Sequence, residues 1–487
     1  PRPRRALTRP TTISSTAEVN EPLRSHHYWT CPVAATDGSA SCRCLSSRPS
    51  PSRPAVCIGL RSEWTSVGRA SQLVSECVCA RHCFAALRLS RGSMAVSRLS
   101  VLVAALACCC LARLAQCGGG GGGQNYTSMF SFGDSLTDTG NLLVSSPLSF
   151  NIVGRFPYGM TYFHRPTGRC SDGRLVVDFL GACPATHCRH FDISANLIRF
   201  LLAAAQAFGL PLLQPYLSRG EDVRQGVNFA VGGATAMDPP FFEGIGASDK
   251  LWTNLSLSVQ LDWFDKLKPS LCGSPKSCKK YFSRSLFLVG EIGGNDYNYA
   301  FFKGKTLDDA KSYVPTVSSA IIDATERLIK AGAMHLVVPG NLPMGCSSAY
   351  LTLHPGRSRS DYDAVGCLRT YNDFAQRHNA MVQQKLQVLR LKYPKARIMY
   401  ADYYGAAMSF AKNPKQFGFK QGPLKTCCGG GGPYNFNPKA SCGVRGSSVC
   451  ADPSAYANWD GVHLTEAAYH AIADSILHGP YTSPRLL

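Results

Sequence analysis

Phe130-Ser131-Phe132-Gly133-Asp134-Ser135-Leu136-Thr137-Asp138-Thr139-Gly140-Asn141 passes from apolar residues straight into small and polar ones. Two readings compete for it. In one, a buried strand gives way to a loop in which Asp134 or Ser135 caps the next helix, the usual use of such residues. In the other, Ser135 is a nucleophile on a turn tight enough to need glycine. The stretch alone favours the cap, and the rest of the chain shifts the balance.

Four more short apolar runs end in Gly, Asp or Pro-Gly breakers: Val227–Val231, Leu286–Val289, His335–Val338 and Ile398–Ala401. Helical periods lie among the later ones, over Thr316–Ala331, Tyr371–Leu391 and Thr465–Leu477, the last with Thr465 as its N-cap. Uninterrupted apolar strands alternating with helices predict an α/β fold with a parallel sheet covered on both faces. Ligands of such sheets sit at the carboxyl ends of the strands, where Ser135 falls.

The other strand ends carry complementary chemistry. Near the far end of the chain, Asn458-Trp459-Asp460-Gly461-Val462-His463 sits in a turn before the last helix. A serine hydroxyl needs a base to take its proton, and an imidazole needs a carboxylate to fix its tautomer and stabilise its cation. Asp460 and His463 supply both from one loop. Gly232-Gly233 offers backbone N–H groups at close approach, and Asn295 a side-chain amide. With the Ser135 N–H these make three donors for an oxyanion, and losing one such donor costs roughly 10²–10³ in turnover. Each loop alone also has a plain structural reading as a turn or a helix contact; four together are harder to dismiss.

As a set, GDSL at Gly133–Leu136, GVNFAVGGATA at Gly226–Ala236, GGND at Gly293–Asp296 and DGVH at Asp460–His463 resemble the blocks of the plant GDSL esterase/lipase family, within the SGNH hydrolases, in order and spacing. FPYG at Phe156–Gly159, HRPTGRCSDGR at His164–Arg174, VVPGNLPMGC at Val337–Cys346 and CCGGGGPYN at Cys427–Asn435 accompany them. The resemblance implies a three-layer α/β/α sandwich of flavodoxin-like type around a five-stranded parallel sheet. It implies Ser135 as nucleophile, His463 as general base and then acid, and Asp460 as its orienting carboxylate. Ser135, Gly233 and Asn295 become the oxyanion hole, and neither a metal nor an organic cofactor is implied. The expected activity is hydrolysis of carboxylic esters: acetyl, hydroxycinnamoyl or choline-type, with lipid esters less favoured for want of an amphipathic lid helix. Acyl transfer through the same acyl-enzyme is one alternative, and a non-catalytic cell-wall glycoprotein on the same scaffold is another. A monomer meeting a small-molecule or cell-wall ester is expected.

The 487 residues hold further signals. Met94–Cys117 reads as a secretory signal peptide, with an apolar run at Leu99–Leu111 too short for a membrane span of ~20 residues. Residues 1–93, rich in Arg, Pro, Ser and Cys, are then expected to be translated upstream sequence or a disordered extension outside the native protein. Residues 118–125 form a Gly-rich linker and 126–480 the hydrolase domain, in which 181–204 resembles a retained intron. Formal charge is +20, but 13 Arg against five acids before Met94 supply much of it. No Lys/Arg cluster interleaves with aromatics, which argues against a nucleic-acid partner. Cys272 and Cys278 flank a short loop suited to a disulfide, while Cys346, Cys367, Cys427, Cys428, Cys442 and Cys450 can pair in an oxidising compartment with connectivity left open. Asn125 and Asn254 begin glycosylation sequons. These point to an extracellular or cell-wall protein without stable membrane insertion, the vacuole being the other destination.

Overall fold

A computed structural model describes residues 126–146, 152–180, 208, 210–218 and 222–487. The expectations for 1–93, 94–117, 118–125, 181–204 and Asn125 lie outside the described residues.

Five parallel strands form the sheet: β1 (Ser128–Phe132), β2 (Gly226–Asn228), β3 (Ser285–Val289), β4 (His335–Pro339) and β5 (Arg397–Ala401), in spatial order β2-β1-β3-β4-β5. A two-residue strand, Thr482–Ser483, adds to β5 antiparallel as a sixth. It lies past the domain boundary expected at 480, because Tyr481 O accepts from Asp402 N and draws the terminal segment along the β5 edge.

Period-two alternation sorts the strand residues between two cores. Phe130, Phe132, Phe287, Leu336, Val338 and Ile398 pack on one face against α2 (Leu257–Leu271), α3 (Pro275–Phe282), α4 (Gly294–Phe302), α5 (Leu307–Ala331) and α6 (Arg369–Lys392). Met129, Leu286, Leu288, Val337 and Met399 pack on the other against α1 (Val176–Leu180), α7 (Tyr403–Lys412) and α8 (Glu466–Leu477). Because both faces are covered, the strands read as continuous apolar runs. The three-layer sandwich of the sequence reading is observed.

Two element bounds differ from expectation by more than two residues. Helix α5 starts at Leu307 rather than Thr316, running through Pro315. A Thr306/Asp309 capping box nucleates it, with Asp309 N donating to Thr306 Oγ1 and Thr306 N to the Asp309 carboxylate. That start outweighs the N–H that proline lacks. The second strand stops at Asn228 instead of Val231, since the Asn228 side chain takes the Ala230 N–H and donates to Thr137 O, diverting the ladder toward the loop after β1. Helix α8 begins as expected, with Thr465 Oγ1 accepting from Ala468 N.

Among the described residues four disulfides are present: Cys272–Cys278, Cys346–Cys367, Cys427–Cys450 and Cys428–Cys442. The last two staple a loop lying beside the segment before α8, with Cys427 N donating to Asn458 O and Cys428 N to Trp459 O. Closing loops of this length stabilises by about 3 kcal/mol each in the chain-entropy account. Their location makes them supports for one end of the sheet.

Candidate active site

The chain leaves β1 at Gly133, whose φ is +138° and where a Cβ would stand 2.9 Å from Glu291 O; no other residue fits. The Gln260 side-chain amide clamps this glycine from both sides, accepting from Gly133 N and donating to Gly133 O at 2.9 Å each. Helix capping falls to Asp138, not to Asp134 or Ser135: its carboxylate accepts from Gly140 N, Asn141 N and Leu142 N, and also from Gly232 N at 2.8 Å. One buried acid thereby fixes the helix start and ties the Gly232-Gly233 loop to the turn bearing Ser135. Released from capping, the Ser135 side chain faces the carboxyl end of the sheet.

The Asp460–His463 loop is held there independently. Gly461 adopts φ +104° with Phe436 against it, and its carbonyl accepts from Ala349 N and Ser347 Oγ. His463 Nε2 and Ser135 Oγ share a 2.8 Å hydrogen bond, and His463 Nδ1 meets Asp460 Oδ2 at 2.7 Å. Asp460 Oδ1 also accepts from Val462 N and His463 N. Burial alone would raise the Asp460 carboxyl, but the His463 charge and these donors outweigh it and hold it down to about 2. Burial works against the His463 cation, and the Asp460 carboxylate reverses this, placing the imidazole well above its ordinary value.

Around Ser135 stand the other proposed donors. Among the described residues, the backbone N–H groups of Ser135 and Gly233 have no partner. Gly233 holds φ +79° between Tyr299, whose hydroxyl donates to Gly233 O, and Trp252. Asn295 Nδ2 donates to Asp134 Oδ2 at 3.1 Å and to Ala234 O at 3.0 Å, so both its hydrogens are engaged in this state. The structure thus gathers Ser135, Gly233, Asn295, Asp460 and His463 into one region. Asn254 is exposed on a loop.

Several residues of the site carried no individual assignment in the sequence. Tyr158, from FPYG, donates its hydroxyl to Asp460 Oδ2 at 2.8 Å. Its segment is locked onto α8 by Asp172, which accepts from Glu466 N, and by the Arg174–Glu466 ion pair. Cys170, a free thiol, is buried against the His463 imidazole, and burial pushes it up. Glu291 is buried beside Asp134; desolvation and the neighbouring carboxylate drive it well above the usual carboxyl range, while burial lifts Asp134 to about 6 and Asp296 to about 7. The quoted FPYG and GRCSDG stretches were the only trace of Tyr158 and Cys170. Nothing local in a tyrosine or a thiol states what lies across a 300-residue gap.

A cleft of about 110 Å³ opens beside Ser135, walled by Leu342, Pro343, Ala407, Phe410 and Ala411, with Asn295, Asn341 and Glu291 also lining it. Most of the surface it exposes is apolar, as in small-molecule sites generally.

Comparison with known proteins bears on this arrangement. The family model described as GDSL-like lipase/acylhydrolase matches residues 129–476. A GDSL esterase/lipase of Arabidopsis thaliana is 48% identical over 366 residues, covering 74% of this chain and 92% of the relative. A second from the same plant is 44% identical over 364 residues, covering 74% and 84%. The sinapine esterase of Brassica napus is 44% identical over 367 residues, covering 74% and 87%.

Proposed function

The chain belongs to the GDSL-like lipase/acylhydrolase family and is a carboxylic ester hydrolase, and we propose that Ser135, His463 and Asp460 carry out the hydrolysis through an acyl-enzyme. The observation that supports this most is the continuous Ser135–His463–Asp460 hydrogen-bond chain at 2.8 and 2.7 Å beside an apolar cleft.

Ser135 Oγ attacks the ester carbon while neutral His463 takes the hydroxyl proton on Nε2. Asp460, held ionised, keeps the Nδ1 proton in place and stabilises the imidazolium. The carbonyl oxygen becomes an oxyanion facing the Ser135 and Gly233 N–H groups, and Asn295 joins by sharing one of its two engaged hydrogens. Collapse breaks the bond to the alcohol, which leaves with the Nε2 proton. Water, deprotonated by His463, then attacks the acyl carbon; the acid departs and Ser135 recovers its proton. The substrate is a carboxylic ester of the hydroxycinnamoyl or acetyl kind, a reading to which the sinapine esterase among the relatives lends support.

Four disulfides support export to an oxidising compartment, with Asn254 exposed for glycosylation. The test of the catalytic reading is Ser135→Ala assayed on 4-nitrophenyl butyrate. A loss of at least a thousandfold in turnover with an unchanged melting temperature is expected on the order of other serine hydrolases. Retention of activity by the folded variant would overturn the assignment.

A further inference from the structure

We propose that Asn341 determines substrate choice: its side-chain amide donates to a neutral oxygen acceptor, an ether, hydroxyl or carbonyl, carried by the ester away from its scissile carbonyl. The inference rests on the esterase reading of the same cleft.

Asn341 follows β4, where the chain turns under the cleft. Its main chain is fully occupied: Asn341 N donates to Asn379 Oδ1 at 2.8 Å, and Asn379 Nδ2 donates to Asn341 O at 3.0 Å. The side chain therefore plays no part in holding the turn. Asn341 is only 2% exposed, and its Nδ2 has no hydrogen-bond partner among the described residues. A buried donor without a partner is rare, because desolvation removes its water and nothing replaces it. Asn341 is among the residues that line the cleft beside Ser135.

Its polar neighbours in the cleft turn their donors to other partners, and none of their acceptors reaches Asn341 Nδ2. Tyr350 donates to Asn298 Oδ1, Asn298 donates to Asn295 Oδ1, Ser347 donates to Gly461 O, and Asn458 donates to Pro423 O. Leu342, Pro343 and Phe410 have no side-chain acceptor to offer. A substrate oxygen entering the cleft can supply that missing partner. An anion is disfavoured, since the Asp134 carboxylate lines the same cleft. A plain hydrocarbon chain would leave the donor orphaned. What remains is an uncharged oxygen in an otherwise apolar group, and a cleft of about 110 Å³ asks for a compact one. A site built around a hydrogen bond rejects the analogue that lacks it far more strongly than an apolar pocket rejects one methylene.

The experiment separates recognition from chemistry. Binding to Ser135→Ala protein is measured by calorimetry for ester pairs that differ only in one O-for-CH2 exchange. Methoxyacetate against butyrate esters, and longer pairs with the oxygen moved outward, probe the acyl side; 2-methoxyethyl against butyl esters probe the alcohol side. In at least one pair the oxygen ester is expected to bind about tenfold more tightly than its twin, the worth of one net hydrogen bond in a desolvated site. Adding Asn341→Leu abolishes or inverts that preference. Asn341→Asp, of similar shape but without the donors, also abolishes it. Because Asn379 bonds only the Asn341 main chain, both variants keep the turn, and their melting temperatures check it. An unaltered preference in the Leu variant, or no tighter binding of any oxygen ester, overturns the proposal. Failure of the esterase reading looks different: the preference stands, yet protein with Ser135 intact leaves the bound ester uncleaved.

Discussion

Replacing Asp460 with Asn tests the electrostatics of the site without changing its shape. In the native protein Asp460 Oδ1 takes two backbone N–H groups, while Oδ2 takes His463 Nδ1 and the Tyr158 hydroxyl. An asparagine keeps the backbone pair only by turning its oxygen toward them, which presents its NH2 to His463 and Tyr158. Tyr158 adapts, since a hydroxyl accepts as well as donates. His463 cannot adapt without cost: Nδ1 must accept, so the ring proton moves to Nε2 and faces Ser135. The base has then become a donor. A loss on the order of 10⁴ in kcat/KM follows, as in other triads treated this way, or about 5 kcal/mol at 1.36 kcal/mol per tenfold. Stability falls less. The Asp460 carboxyl lies near 2 against an ordinary 3.8, so removing its charge costs about 2–3 kcal/mol at neutral pH. The assay is kcat/KM on 4-nitrophenyl butyrate alongside denaturant unfolding of the same preparation. Activity falling only in step with the folded fraction would refute the orienting role.

Two further outcomes follow from the buried charges. The base must be neutral to act, and the Asp460 carboxylate raises the His463 imidazole well above its ordinary value; kcat/KM therefore climbs with pH along an acid limb whose midpoint exceeds about 6.5, and a midpoint at or below that value in a pH–rate profile would contradict the geometry. Glu291 is an acid whose folded pKa is raised, so the stability of its neutral form is complete below about 4.3 and is lost as pH rises toward the folded value. Glu291→Gln, which cannot ionise, should gain melting temperature relative to wild type between pH 5 and pH 8; a difference that stays flat or falls with pH would show that this carboxyl is not held neutral.

Much of the fold was written locally. Phe130 and Phe132 alternate with Met129 and Ser131, and such short apolar runs between helical periods can bury both faces only in a covered parallel sheet. Helix starts were less legible where two local signals disagreed, as when the Thr306/Asp309 cap prevailed over Pro315. Ser135, Gly233, Asn295, Asp460 and His463 were recognisable because each sits in, or directly after, a glycine-containing turn, and a tight turn at a strand end leaves its mark within a few residues.

The partners of those residues left no such mark. That Asp138, not Asp134, caps the helix after β1, that Tyr158 buttresses Asp460, and that Asn341 lacks a partner are relations across distant parts of the chain. The amino-acid order by itself determined the layered fold and the residue types at each strand end, since periodicity and turn chemistry act over a few positions. Only the tertiary structure decided which hydrogen bonds those residues make, because burial, and with it the strength of a charge or the cost of an idle donor, depends on what the rest of the chain brings alongside.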